Sequence, residues 1–276
     1  MKKLIFMALL LSYAMTSFAW DATGHRLVAE IAYQQLPKST VIALNKLLGA
    51  KNNDSSDRYL LSAAVWPDAI KQDDITAFNA WHFIDLPFSL DGTPLPAYER
   101  ENVVWAINQS LQVLQSPTAS YDMKKLFLRF LIHFAGDISQ PLHCATLVSK
   151  TYPLGDEGGG LFPITGENVN NLHAFWDEGA GLFEQNNQPL RYNQMKALAY
   201  DWQAQYPQSN FTNQLSDMNE MDWAKASFQL AKTVAYALPN DSTPSTAYIA
   251  NAQKVVQQQV VLAGYRLAKL LEICTN

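Results

Sequence analysis

Cysteine is nearly absent: the 276 residues hold two, Cys144 and Cys274. That excludes a disulfide-built scaffold, and neither has ligand-like spacing to the other for a thiolate metal site. One disulfide tying the C-terminus to the core and two free thiols both stay open. Histidine is scarce as well, with five in the chain and none after His173. Positive charge is in deficit, 20 Lys and Arg against 25 Asp and Glu, for a net charge of −5. An acidic chain is no general coat for nucleic acid, because binding by counterion release needs a basic face. Polyanions would have to be handled at a local positive site, which bound metal ions supply. There is no internal repeat and no extended alternating pattern. Past the first 19 residues, no apolar run is long enough to span a membrane. The glycine-rich G-D-E-G-G-G at 155–160 has no following G-K-[ST], so it is no phosphate-binding loop of that kind.

What is present begins with a leader. Lys2 and Lys3 precede about a dozen apolar residues and the small-x-small ending Ser17, Phe18, Ala19. Residues 1–19 read as a signal peptide, too short and wrongly flanked for an anchor. Cleavage after Ala19 leaves a 257-residue domain, 20–276, beginning at Trp20. Loss of the two lysines takes the charge from −5 to −7. The expected location is outside the cytoplasm, periplasmic or secreted.

The remainder reads as helices. His25 opens one with Leu27, Val28, Ile31, Ala32 and Leu36 on a 3.6-residue period, stopped by Pro37. Others are expected at 41–48, from Arg58 to Trp66, and near 98–114. Asp68 then starts a new segment directly after Pro67. The apolar run L-F-L-R-F-L-I leads into H-F-A-G-D-I-S-Q-P-L-H at 133–143, where Pro141 should end or kink the helix at Gln140. The final third, with helices at 193–205, 223–237 and 248–273, lacks histidine and reads as scaffold; Val255, Val256, Val260, Leu262, Leu267 and Leu270 form its packing stripe. The class is all-α.

The histidines come with carboxylates. His25, His82, His133 and His173 lie three or four residues from Asp21, Asp85, Asp137 and Asp177, and His143 follows Asp137. His133/Asp137 and His173/Asp177 are at i, i+4, on one helix face. His82 and Asp85, three apart, are close enough to share a helix face or flank one turn. Neutral imidazole and carboxylate are good ligands for zinc-like ions. Five histidines with several aspartates exceed one four-coordinate site, so more than one ion is implied. A cluster of close divalent ions suits in-line attack on phosphorus.

The pieces W-D-A-T-G-H, W-P-D-A-I, W-H-F-I-D, H-F-A-G-D-I-S-Q-P-L-H and N-L-H-A-F-W-D together resemble the S1/P1 nuclease family, zinc enzymes sharing a fold with bacterial zinc phospholipases C. The resemblance runs from Trp20 to the C-terminal A-G-Y-R-L-A-K-L-L. It implies a single-domain multi-helix fold with a trinuclear zinc cluster, three Zn2+ per chain, in a cleft. By resemblance, Asp68, His82, His133 and Asp137 hold the first zinc, and His143, His173 and Asp177 the second. The third falls to His25, to Asp137 as a bridge, and to the amino nitrogen and carbonyl oxygen of an N-terminal Trp20.

The roles it implies follow. Water activated between the first and third ions attacks phosphorus, oriented by Asp68, and the second ion stabilises the leaving 3′ oxygen. Lys71 stands where the family often has arginine; it supplies charge but no bidentate fork. Phe83 would stack on a nucleobase and Asp85 would hydrogen-bond its edge; the bland alternatives are a core aromatic and a carboxylate orienting His82. Ala226, ahead of Ser227, departs from a frequent Glu. The expected activity is hydrolysis of single-stranded RNA and DNA to 5′-phosphorylated products, with 3′-nucleotides also cleaved. No feature calls for an obligate protein partner. A zinc phospholipase C is the nearest competitor, disfavoured by Phe83 and Asp85 and by the lack of an evident apolar interface surface. A non-catalytic zinc protein is the third reading.

Overall fold

The first helix is set by its own flanks. In the computed structural model, which describes residues 20–166, 169–184 and 188–275, α1 spans Ala22–Gln35. The Asp21 carboxylate caps it, accepting from the amides of Thr23 at 2.8 Å and Gly24 at 2.9 Å. Asp21, paired with His25 by spacing, is therefore a helix cap. The expected leader, 1–19, lies outside the described residues. Pro37 separates α1 from α2 (Lys38–Leu47), which starts directly behind the proline and so earlier than position 41.

α3 runs Arg58–Ala69 and carries Pro67 within its last turn. The expected break at Trp66 is absent: the helix continues past the proline, and Asp68 stays on it. A 3-10 turn, Asn79–His82, precedes β1 (Pro87–Ser89). α4 spans Val103–Gln115. It begins later than expected because extended Asn102 caps it, accepting from the amides of Val104 and Trp105. α5 spans Tyr121–Asp137 and ends before Gln140, which is extended ahead of Pro141. β2 (Thr146–Val148) and α6 (Leu172–Asp177) follow. Then come α7 (Tyr192–Gln205), α8 (Thr212–Ser216), α9 (Glu220–Thr233) and α10 (Thr246–Thr275).

The architecture is helical, as the sequence indicates, with one addition. β1 and β2 pair in parallel, Phe88 opposite Leu147. Strands of three residues are too short to show alternation in a sequence. Their consequence is large for their size. Continuing the pairing, the Ile84 amide donates to the His143 carbonyl at 2.8 Å. The segments holding His82 and His143 are thereby clamped side by side.

α5 lies at the centre, packed against α3, α4, α1 and α10. Every residue from 130 to 148 is buried. α1 crosses α10 at Gly264, where a Cβ would stand 2.4 Å from Ile31 Cγ2; only glycine allows that approach. Most of the predicted α10 stripe is buried, including Val256, Val260 and Leu267 at 0% exposure. Trp20, Trp176 and Trp223 are fully buried core side chains. Trp81 packs its ring on Phe130 and Trp105, at 5.4 and 5.0 Å between centroids, and so anchors the turn that ends in His82. Both cysteines are free thiols; Cys144 donates to the Ile138 carbonyl.

Candidate metal centre

Four separate segments deliver one cluster. His25 comes from α1, Asp68 from α3, His82 from the 3-10 turn, and His133 and Asp137 from the last turn of α5. The Asp137 carboxylate stands among the rings. Its Oδ1 faces His25 Nε2 at 3.2 Å; its Oδ2 faces His82 Nδ1 at 2.9 Å and His133 Nε2 at 3.3 Å. Asp68 lies 3.7 Å from both His82 and His133, and 3.9 Å from His25. Lys71 Nζ donates to Asp68 Oδ1 at 2.8 Å.

A second cluster adjoins it. His143 Nε2 and His173 Nε2 face each other at 3.1 Å, with Asp177 Oδ2 3.2 Å from His173 Nε2. His143 sits in the 3-10 turn Pro141–Cys144, and α6 carries His173 and Asp177 one turn apart. Three groups of donors thus lie within ion-binding range of one another: His25/His133/Asp137, Asp68/His82/His133 and His143/His173/Asp177.

Whether these donors suit metal ions can be judged from their hydrogen bonds. The outer Nδ1 atoms of His133, His143 and His173 sit 2.6, 2.8 and 2.9 Å from the carbonyls of Ala64, His82 and Gly158. A carbonyl only accepts, so Nδ1 carries the proton and each Nε2 turns a lone pair inward. The facing lone pairs of His143 and His173 repel unless a cation lies between them. His25 offers neither ring nitrogen to a hydrogen bond, and both Asp137 oxygens lack one, although both residues are fully enclosed. Buried polar groups are normally satisfied. The donor set therefore fits divalent cations with nitrogen and oxygen ligands.

Electrostatics favour the neutral form at two of the imidazoles, while at His133 burial is outweighed by the charges of Asp137 and Asp68, which raise the pKa. Burial, followed by repulsion from His133, pushes the pKa of His25 and His82 well below the usual imidazole value, so both stay neutral and able to ligate. Burial pushes Asp137 and Asp177 up to about 6. Exposure is graded. His25, His133 and Asp137 side chains are at 0%, and Asp68 and Asp177 at 13% and 10% form the rim.

Phe83 and Asp85 follow directly on the 3-10 turn that ends in His82. Phe83 is extended and half-buried. Because the 3-10 turn stops at His82 and Phe83 is extended, Asp85 does not share a helix face with it, which excludes the first of the two placements the spacing allows. Asp85 is instead near His173 and Asp156; burial, reinforced by Asp156, pushes it up to about 7. Trp20 is wholly buried and its Nε1 donates to Ser139 Oγ at 3.1 Å. The Asp21 amide donates to the Asp177 carbonyl at 2.8 Å, so the Trp20 backbone stands one peptide from the second cluster.

Several positioning residues escaped the sequence reading. A Cβ on Gly136 would come within 2.9 Å of His25 Nδ1, so this glycine lets α1 lay its imidazole on α5. Gln140 Nε2 donates to Asp177 Oδ1 at 2.6 Å, tying the turn after α5 to α6. The glycine-rich loop supplies the Gly158 carbonyl to His173; at φ +61, with Leu142 O only 2.4 Å from a would-be Cβ, residue 158 must be glycine. Asp156 holds that loop, accepting from the Leu147 amide and the Tyr236 hydroxyl. Gly136 and Gln140 lay inside the conspicuous motif; their spacing to each other carries no signal, since their partners are 111 and 37 residues distant.

Comparison with known proteins gives a consistent picture. The profile of the S1/P1 Nuclease family matches residues 20–276. Nuclease S1 of Aspergillus oryzae is 28% identical over 291 aligned residues, covering 96% of this chain and 95% of its own. Endonuclease 4 of Arabidopsis thaliana is 29% identical, covering 92% and 89%. Nuclease P1 of Penicillium citrinum is 30% identical across 57% of each chain.

Proposed function

Because the chain belongs to the S1/P1 nuclease family, we propose that it is an exported zinc-dependent nuclease that cleaves single-stranded RNA and DNA to 5′-phosphorylated products and also removes phosphate from 3′-nucleotides. A nuclease acting on nucleic acid follows from the family; zinc, the 3′-nucleotidase activity, the single-strand preference and export are our proposal. The observation that carries it is the Asp137 carboxylate, enclosed and without a hydrogen bond, facing three imidazoles.

Asp68, His82, His133 and Asp137 would hold one zinc, His143, His173 and Asp177 a second, and His25 with Asp137 and the Trp20 amine and carbonyl a third. When bound, the zinc ions supply a nucleophile at neutral pH and Lewis acidity toward phosphate oxygens. Asp68, at the rim, accepts a hydrogen bond from the attacking water and aims it. Lys71 holds Asp68 in place through Oδ1 and adds positive charge where negative charge develops on phosphorus. Phe83 offers a half-exposed ring on which any base stacks. Asp85 reaches the base edge, and its raised pKa keeps it a donor as well as an acceptor up to about pH 7. Residues 1–19 act as a cleaved leader, which frees the Trp20 amine; the family match starts at the same residue.

The test is incubation of zinc-loaded protein, cut to Trp20, with single-stranded DNA, single-stranded RNA, a 3′-nucleotide and phosphatidylcholine vesicles. Oligonucleotides ending in 5′-phosphate are expected. The lipid arm is needed because Leu90 and Leu154 are 76% and 86% exposed. They sit on loops joined by the Lys150 amide, which donates to the Asp91 carboxylate. Lipid hydrolysis with intact DNA would overturn the reading.

A further inference from the structure

A cavity of about 350 Å³ lies off the metal centre, between α1, α3 and α7. Its polar lining includes Arg26, Arg58, Ser62 and Tyr192, and its apolar lining includes Val65 and Met195. No carboxylate lines it among the described residues. Two carboxylates stand behind the lining: Asp54 pairs with Arg58, and Asp57 accepts from the Tyr192 hydroxyl. Arg26 is exposed and makes no ion pair or hydrogen bond among the described residues. Among the described residues Arg58, its side chain 67% exposed, pairs with Asp54 and the Tyr59 hydroxyl. Such an exposed pair holds its partners weakly and yields to a better anion.

Position gives the cavity its meaning. Arg26 follows His25 on α1, and α3 carries Ser62 and Arg58 on the same helix as Asp68. At 1.5 Å per residue, these stand about 9 and 15 Å along α3 from Asp68. The volume falls in the range of small-ligand sites. Guanidinium groups match phosphate oxygens in a fork, and the apolar lining suits a sugar or base.

We infer that this cavity is a second nucleotide subsite, in which Arg26 and Arg58 each bind a phosphodiester of the single strand remote from the scissile one. This inference rests on the nuclease reading and extends it: the enzyme binds longer strands better than dinucleotides. Arg26 and Arg58 act on substrate binding and take no part in the bond cleavage. Each arginine neutralises one phosphate, so each contributes about 0.7 to the salt slope of single-strand binding.

The experiment compares kcat/KM on a ten-residue oligothymidylate and on the dinucleotide TpT across a salt series. It uses zinc-loaded wild type, Arg58→Gln, Arg26→Gln, the double variant, and Lys225→Gln as an exposed-cation control on α9. The oligonucleotide-to-dinucleotide ratio is expected to fall about tenfold in the double variant, through KM, with the salt slope for the oligonucleotide shallower by about 1.4. Lys225→Gln should leave both unmoved. An unmoved ratio, or equal losses on both substrates, overturns the subsite while leaving the nuclease reading standing. A wild type that cleaves neither substrate overturns the nuclease reading itself.

Discussion

The two donor clusters differ in how the protein holds them. Around His143, His173 and Asp177 every side chain is braced from outside, by the carbonyls of His82 and Gly158 and by the Gln140 amide. Around Asp137 the bracing is thin. His133 has the Ala64 carbonyl, but His25 and both Asp137 oxygens have no hydrogen bond. The second cluster is shaped by the fold before any ion arrives. The first holds buried donors whose remaining requirement is positive charge. Folding free energy is spent there on unsatisfied polar atoms, and ion binding recovers it.

The largest effect should come from the carboxylate common to the first cluster. Asp137→Ala removes the oxygens facing His25, His82 and His133 together. The zinc count should drop from three to one, and nuclease activity to background. Mass spectrometry under native conditions counts the ions; two zincs retained in the variant would refute the bridge. Stability should move the other way. In chelator-treated protein at pH 7.5, Asp137→Asn keeps the shape and deletes a buried charge, so its Tm should exceed that of metal-free wild type.

Extending the chain is next in size. With one residue ahead of Trp20 the amine becomes an amide and cannot ligate, so one zinc and most activity should be lost while the second cluster keeps its ion. Anomalous scattering at the zinc edge locates the missing ion. Full activity with an added residue would remove Trp20 from the centre.

Acid should separate the clusters less sharply. Asp137 and Asp177 are both pushed up to about 6, so they gain protons as pH falls through that value, and a protonated carboxyl does not ligate. His25 and His82, pushed well down, stay neutral over the same window. Against the effect of burial, Asp137 and Asp68 push the His133 pKa up, so that imidazole also gains a proton as pH falls. Zinc affinity should be weaker by about a hundredfold per carboxylate at pH 4 than above their titration. Raising free zinc should move the fall to lower pH. Occupancy measured at two zinc concentrations checks this; a midpoint indifferent to zinc would show that some other group sets the acid limit.

The bracing of the second cluster is testable alone. Gln140→Ala should weaken zinc there by roughly tenfold to a hundredfold. Loss of the donor to Asp177 also raises that carboxyl's pKa, so this cluster should lose zinc at higher pH than the other. Competition titration with a chromogenic chelator resolves the two. Equal weakening of both clusters would mean that Gln140 acts through the fold as a whole.

The sequence disclosed the donors and concealed their supports, for a physical reason. His133 and Asp137 share a helix face at i, i+4, and so do His173 and Asp177; the period of the helix makes such pairs visible. Helices were legible from apolar periodicity, and the burial of Val256, Val260 and Leu267 follows from it. What failed was punctuation and pairing. Pro67 looked like a stop, yet α3 runs through it to Ala69, although the ring has no N–H to offer the carbonyl of Ala63. Phe88 and Leu147 lie opposite each other across a gap that no local pattern records. Gly136 is needed because of His25, and Gly158 because of Leu142. A glycine's reason lies in whatever approaches it, and the chain alone does not say what that is.

The smallest expected effect lies where the scaffold third meets the centre. Ser227, on α9, donates to the Ile138 carbonyl at 2.7 Å, at the turn between the two clusters. Cys144 Sγ also reaches that carbonyl, so Ser227→Ala leaves it partly satisfied. The cost should be about 1 kcal/mol, a Tm lower by about 2–4 °C. Zinc count and kcat/KM should be unchanged, because the donors around Asp137 and Asp177 are fixed by other contacts. If Ser227→Ala lowers zinc affinity at His143 and His173 along with Tm, then α9 sets the second cluster, and its bracing extends beyond Gln140 and Gly158 into the part of the chain that has no histidine.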